Sequence, residues 1–294
     1  MSERDSIIIT YFTDPMMGLS YESEPFFRQL ETHFPGLIRF RYIMSGLVRD
    51  VYDFVDPADL EYGKAFALEK YNARLARIYK SEEYISGMPI NMTGFRLFSP
   101  DASSSLPLNL AFKAAQLAAP EKAERFLYRL RFATIVESRP TIRTDEIFSV
   151  VSASGIDPDV FRRHYTDGSA QRALNDDIAY FDSLNINSLP AFIIEYQSQK
   201  HLLKCVLDYS QLAHAINTIS RGEVMPIAPR ATSENIRKLL DRHPLISPKE
   251  IGAAFCLDGD SAVLYLLSPL LNAGEIVIKE VVGGWFIELS THNK

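Results

Sequence analysis

The segment Tyr11-Phe12-Thr13-Asp14-Pro15-Met16-Met17-Gly18-Leu19-Ser20-Tyr21-Glu22-Ser23-Glu24-Pro25 constrains this chain more than any other stretch. In front of it, Ile7 to Thr10 is a β-branched run that reads as a strand. Behind it, Phe26, Phe27, Leu30 and Phe34 recur near helical spacing. A strand, an Asp-Pro turn and a helix make the opening βα unit of an α/β fold. In such units ligands collect at the strand's carboxyl end and the helix N-terminus.

The rest of the chain reads as a sheet interrupted by helices. Leu37 to Met44 is a second strand, with Arg39 and Arg41 on one solvated face. Residues 57–185 are largely helical. Asp59 to Tyr79 carries Leu60, Phe66, Leu68, Tyr71, Leu75 and Ile78, and a further short helix ends at Gly87-Met88-Pro89-Ile90. Ser103-Ser104-Ser105-Leu106-Pro107 opens a helix to Ala118, and Pro120 starts one running to about Ser138. Thr144, Asp157-Pro158 and Asp167-Gly168 begin others. Ile186 to Ile194 brings a proline, Pro190, into an apolar strand. His201 to Leu207 is its hairpin partner, and Ser210 to Ile219 a closing helix.

Residues 221–230 read as a linker. Beyond them Ser233 to Arg242, a capping box at Ser247-Pro248-Lys249-Glu250, and Asp260 to Asn272 predict three helices. A hairpin from Ile276-Val277-Ile278 through Gly283-Gly284 to Trp285-Phe286-Ile287 follows. This resembles a winged helix, with Pro269 expected to kink the third helix.

The Asp14-Pro15 turn, the aromatic Tyr21 and Glu24-Pro25 resemble the active-site segment of the DsbA family of thioredoxin-fold proteins, in particular its FrnE-like branch. There the turn reads roughly Asp-Pro-x-Cys-x-x-Cys-aromatic-x-x-Glu-Pro. The loop at Leu189-Pro190 resembles the family's cis-proline loop. The resemblance covers about residues 6–220. It implies an α/β, thioredoxin-like (DsbA-type) fold over residues 1–222, with a large helical insertion at about 57–185. A small α+β winged-helix-like domain is expected over 231–294.

Both cysteines of the motif are replaced. Met17 stands where the nucleophile would be and Ser20 where the resolving thiol would be. A thiol at a helix N-terminus becomes a reactive thiolate because the dipole lowers its pKa. A thioether has no proton to lose, and a hydroxyl cannot resolve a disulfide. The scaffold is therefore expected to serve binding without redox chemistry. Its groove would be formed by Met16, Met17, Gly18, Leu19, Ser20, Tyr21, Leu189 and Pro190. Ser20 is expected to be a capping hydroxyl, since no base is marked near it.

Composition excludes other classes. A net charge of -6 gives no electrostatic footprint for nucleic acid or an anionic membrane, and no apolar run approaches a transmembrane span. Met1-Ser2-Glu3-Arg4-Asp5 leads into an apolar run too short for a secretory leader. Only Cys205 and Cys256 occur, expected buried and inert, and their sparseness predicts a soluble cytoplasmic protein. The six histidines lack ligand spacing and no phosphate loop appears, so neither metal nor cofactor is predicted.

Three readings follow. In the first, the chain holds a polypeptide partner as an adaptor or regulator. The resemblance supports this, since such relatives include adaptors that deliver a transcription factor to the ClpXP protease. In the second, it is a DsbA-family thiol-disulfide oxidoreductase or isomerase. In the third, residues 231–294 bind DNA. Against the third, Asp260 to Asn272 holds no lysine or arginine. That region is expected to contact protein, with self-association through it left open.

Overall fold

The computed structural model describes residues 6–205 and 208–290. The chain opens with β1 (Ile7–Thr13), α1 (Gly18–Glu22), α2 (Glu24–His33) and β2 (Ile38–Met44). The helical stretch follows as α3 (Pro57–Leu60), α4 (Lys64–Glu82), α5 (Leu106–Ala118), α6 (Ala123–Ile135), α7 (Thr144–Ala153), α8 (Pro158–Thr166) and α9 (Ser169–Ser183). β3 (Ala191–Tyr196), β4 (Gln199–Lys204) and α10 (Tyr209–Ile219) complete the sheet layer. Then come α11 (Ser233–Arg242), β5 (Leu245–Ile246), α12 (Pro248–Phe255), α13 (Gly259–Asn272), β6 (Ile276–Val281) and β7 (Gly284–Leu289).

The first sheet has the order β2-β1-β3-β4. β1 runs parallel to β2 and antiparallel to β3, which is antiparallel to β4. β1 is central, so apolar groups cover both its faces. Ile7, Ile9 and Tyr11 enter the main core, where Tyr11 stacks on Phe192 at 4.7 Å and meets Phe27 edge-on at 5.1 Å. Phe12 turns the other way, joining Ile43, Ala191 and Ile193 against Tyr180 and Phe181. β1 therefore continues three residues past the predicted Thr10. Its aromatic residues pair with β2 up to Thr13–Met44, and only Asp14 begins the turn.

The helix after the turn is two helices. The chain breaks at Ser23, and Pro25 sits in the first turn of α2, where its missing N–H costs no hydrogen bond. No helix ends at Gly87; residues after Glu82 form turns. The helix expected from Pro120 starts with a 3-10 turn over Pro120–Lys122 and ends at Ile135. Of the strand expected from His201 to Leu207, the part to Lys204 lies in β4, while Val206 and Leu207 fall outside the described residues.

The last 60 or so residues carry a second sheet, β5-β7-β6, antiparallel throughout. The two-residue β5 was not legible in the sequence. Ile236, Leu240, Ile251, Val263, Leu267 and Ile287 form an apolar cluster there, while Leu245 and Phe286 join the main core. Helix α13 runs through Pro269. The Tyr265 carbonyl, which a residue with an N–H at position 269 would engage, instead accepts from the Ser268 hydroxyl at 2.7 Å.

Candidate functional site

The turn after β1 is held by one carboxylate. Asp14 is fully buried, and its Oδ1 accepts from the Met16 N–H at 3.0 Å. Its Oδ2 accepts from the Leu47 N–H, the Ser105 hydroxyl and the Asn109 amide, each at 2.8 Å. Burial raises the Asp14 pKa, and these four donors oppose that rise. One side chain thus ties the turn to the loop after β2 and to the start of α5.

Above this anchor opens a cavity of about 560 Å3. Its walls are the turn at Met16–Leu19, the loop at Ser45–Arg49, one face of α4, Phe181, and the loop at Ile186–Leu189. The volume suits one or a few side chains of an extended segment. Met16, Met17, Gly18, Leu19 and Leu189 line it together, because the carboxyl end of β1 pairs with the start of the antiparallel β3. The Leu189–Pro190 bond is cis.

Ser20, Tyr21 and Pro190 are buried and do not line the cavity. Ser20 caps nothing: Met17 occupies the N-cap position of α1, without a side-chain cap. Ser20 Oγ instead accepts from the Tyr11 hydroxyl at 2.6 Å and bonds Thr13 Oγ1 at 2.7 Å. Thr13 Oγ1 accepts in turn from Arg131 Nη2 at 2.8 Å. Burial pushes the Tyr11 hydroxyl up to about 12, so it stays a donor. A serine locked this way has no access to a substrate. Tyr21 spends its hydroxyl on the Pro89 carbonyl at 2.9 Å.

Two residues of α4 complete the site and were not singled out by the sequence. Tyr79 donates to the Met16 carbonyl, fixing the turn from above. Glu82 faces the cavity, and its Oε2 is buried without a hydrogen-bond partner among the described residues. Burial alone pushes the Glu82 carboxyl up to about 7. It lies so close over Gly18 that a Cβ there would collide with its Oε2, and would stand 2.8 Å from Tyr79 Cδ1. Helical periodicity announced α4, but not which of its polar residues would meet a turn 64 positions earlier.

Behind the turn lies a second polar cluster with the opposite character. Arg28 is buried, with Nη2 at 2.6 Å from Glu24, Nη1 at 2.8 Å from Glu31 and Nε at 3.4 Å from Glu250 of α12. His243 is held neutral, its pKa pushed well down by burial and then by Arg28. Its Nδ1 accepts from Arg28 at 2.9 Å while Nε2 donates to Glu31 at 2.8 Å. Glu31, Glu124 and His243 place ligand-type atoms within 4.8 Å of one another. The Arg28 guanidinium already supplies the positive charge there, so the donor set does not call for a metal ion. Arg131 links the two clusters, reaching Glu24 at 2.7 Å with Nη1.

Residues 11–213 match the sequence profile of the family described as Thioredoxin. The chain belongs to the thioredoxin family. Within it the architecture is DsbA-like, with helices between the second and third strands. The fold is similar to a putative protein disulfide isomerase from Nitrosomonas europaea (14% identity, TM-score 0.61, 74% of this chain and 99% of that one). It is also similar to the probable DsbA oxidoreductase from Streptomyces coelicolor (14% identity, TM-score 0.55, 75% and 92%). In sequence it is similar to the ClpXP adapter protein SpxH of Halalkalibacterium halodurans, 25% identical over 65% of this chain and 59% of that protein. SpxH of Shouchella clausii is 21% identical over 89% of this chain and 81% of that protein.

In this thioredoxin-family chain no cysteine lines the cavity. Cys205 and Cys256 are exposed, contrary to the buried placement expected from their apolar neighbours. Cys205 follows β4, whose own residues are exposed or half-buried, and Cys256 is the left-handed C-cap of α12, φ +53°, so its side chain leaves the buried face of that helix. Among the described residues no single helix is long and apolar enough to cross a membrane.

Proposed function

We propose that this chain is a cytoplasmic adaptor that holds a segment of a polypeptide in the cavity beside Met17 and presents it to a ClpXP-type protease. The observation that carries this reading is the cavity itself. It lies where the DsbA resemblance locates substrate, it is lined by Met16, Met17 and Leu189, and it contains no thiol. Methionine side chains adapt to irregular apolar partners. The backbone at Leu189 makes no hydrogen bond among the described residues, which leaves it open to an added strand. The relatives named ClpXP adapter proteins supply the protease class.

Residues 231–294 are read as a winged-helix-like unit that contacts protein and not DNA. Lys279 on its hairpin is taken by Glu137 at 2.9 Å and lies over the Phe132 ring, and Lys249 is taken by Asp260 at 2.9 Å. Phosphate contacts would have to displace both pairs. Its α12, not the α13 singled out from sequence, packs against the rest of the chain, on α2. The exposed Leu264 and Tyr265 of α13 stay available for a second copy or a partner.

The test is recovery of bound protein by wild type and Met17→Arg, followed by degradation of the recovered protein with purified ClpXP. Adaptor function predicts Met17-dependent recovery and faster degradation with wild type present. Equal recovery by both forms, or insulin reduction by the purified chain, would refute it.

A further inference from the structure

We propose that Glu82 selects a lysine or arginine, flanked by apolar residues, in the segment that the cavity holds; this rests on the groove reading above. The lining is mostly hydrocarbon, from Met16, Met17, Leu75, Ile78 and Leu189. Three acidic or basic side chains interrupt it: Arg49, Asp53 and Glu82. Arg49 is already paired with Asp182 at 2.8 Å. Lys80, the nearest cation on the same helix, is committed to Glu83 at 2.6 Å and to the Ile90 carbonyl at 3.2 Å. Among the described residues neither Asp53 nor Glu82 has an ion pair. The cavity thus offers two acids without counter-charge.

The geometry at Glu82 is specific. Oε2 is shut against Gly18 with no donor, and the side chain lines the cavity, where a donor on the occupant would meet the carboxylate. A carboxylate set among apolar groups loses solvation that nothing in the chain restores. An ammonium or guanidinium on the occupant would restore it, with its methylene stem lying along the methionines and Leu75. An acidic segment would meet repulsion from both Asp53 and Glu82, and a wholly apolar one would leave the carboxylate buried further. Gly18 matters in the same way. Any larger residue there would push the Glu82 side chain out of its position, which accounts for glycine in a helical first turn that has no positive φ to demand it.

The experiment selects random peptides on the immobilised full-length chain, in parallel with Met17→Arg, Glu82→Gln and Glu82→Lys, each shown to be folded by its melting curve. Peptides bound by wild type and lost on Met17→Arg are expected to carry Lys or Arg at one spacing from an apolar residue. Replacing that residue by norleucine should weaken binding to wild type about tenfold and leave binding to Glu82→Gln nearly unchanged. Glu82→Lys should select Asp or Glu at the same place. Met17-dependent peptides with no preferred basic position, or a lysine effect that persists in Glu82→Gln, would overturn the selectivity and leave the groove standing. Peptides whose binding never depends on Met17 would overturn both.

Discussion

The two faces of the opening helical segment treat charge in opposite ways. Behind α2, Arg28 is enclosed by Glu24, Glu31 and Glu250, with His243 and Arg131 completing the contacts, and the residues after 230 are joined to the sheet layer. In front, beside Gly18, Glu82 is half-buried and has no ion pair among the described residues. Both arrangements take carboxylates out of water. Only the first supplies the counter-charge from within the chain. A buried charge that its own protein satisfies serves as a joint, whereas one left open at a cavity wall is completed by something that arrives.

The sharpest way to break this contrast is Arg28→Met. It keeps the stem's volume but leaves Glu24, Glu31 and Glu250 facing one another, and should cost about 3–5 kcal/mol of unfolding free energy. Denaturant titration checks it. A loss under about 1 kcal/mol would mean the joint is no more than a surface pair.

Met17→Arg probes the other face. Its guanidinium can extend into the cavity, so unfolding free energy should change little while partner affinity falls roughly a hundredfold. Calorimetric titration with a selected peptide reads that loss, and a fall in stability instead would show Met17 to be plain core.

Ser20→Ala lies between the two regions, at the end of the chain that runs from Arg131 through Thr13. It removes the acceptor of the buried Tyr11 hydroxyl and one partner of Thr13, which keeps Arg131, and should cost about 1–3 kcal/mol. Ser20→Cys, a poorer acceptor of similar shape, should fall between.

The pH dependence separates the faces with a smaller signal. The folded-state pKa of Glu82 is raised, to about 7, above the ordinary 4.5. The folded chain therefore holds this proton more tightly than the unfolded one. The stability it confers is complete below about 4.5 and is lost as pH rises through about 7. Glu82→Gln should erase that slope. Relative to wild type, the variant should gain roughly 1–2 kcal/mol between pH 5 and 8, a figure reduced for the group's partial exposure. A constant offset across that range would place the carboxylate in water.

The smallest effect is expected from Cys205→Ser with Cys256→Ser. Both thiols are exposed and outside the cavity, so binding and stability should stay within about 0.5 kcal/mol of wild type. Insulin reduction should sit at background with or without them.

Several parts of this molecule could be read directly from residue order. The β-branched run at Ile7, the Asp14-Pro15 turn, the helix starts at Ser105, Asp157 and Ser247, and the strand after Pro190 depend on local chemistry. Capping oxygens, proline's fixed φ and alternation of apolar groups act within a few residues, and those signals survive without a tertiary context. Met17 and Ser20 in place of thiols likewise state by composition alone what chemistry the turn lacks. The sequence did not disclose that Ser20 points inward to Tyr11 and Thr13, that both cysteines face out, or that the two-residue β5 pairs with β7. Nor did it disclose that α12, rather than α13, docks on α2. Glu82 is the clearest case. In the sequence it is one more acid, three residues beyond the apolar-patterned stretch from Asp59 to Tyr79. Only the packing of α4 over the turn, through Tyr79 and the missing side chain of Gly18, takes it from water and gives it a neighbour 64 residues away. Desolvation is a property of the assembled surroundings and not of the residue, so the partner-facing carboxylate was decided by tertiary structure alone.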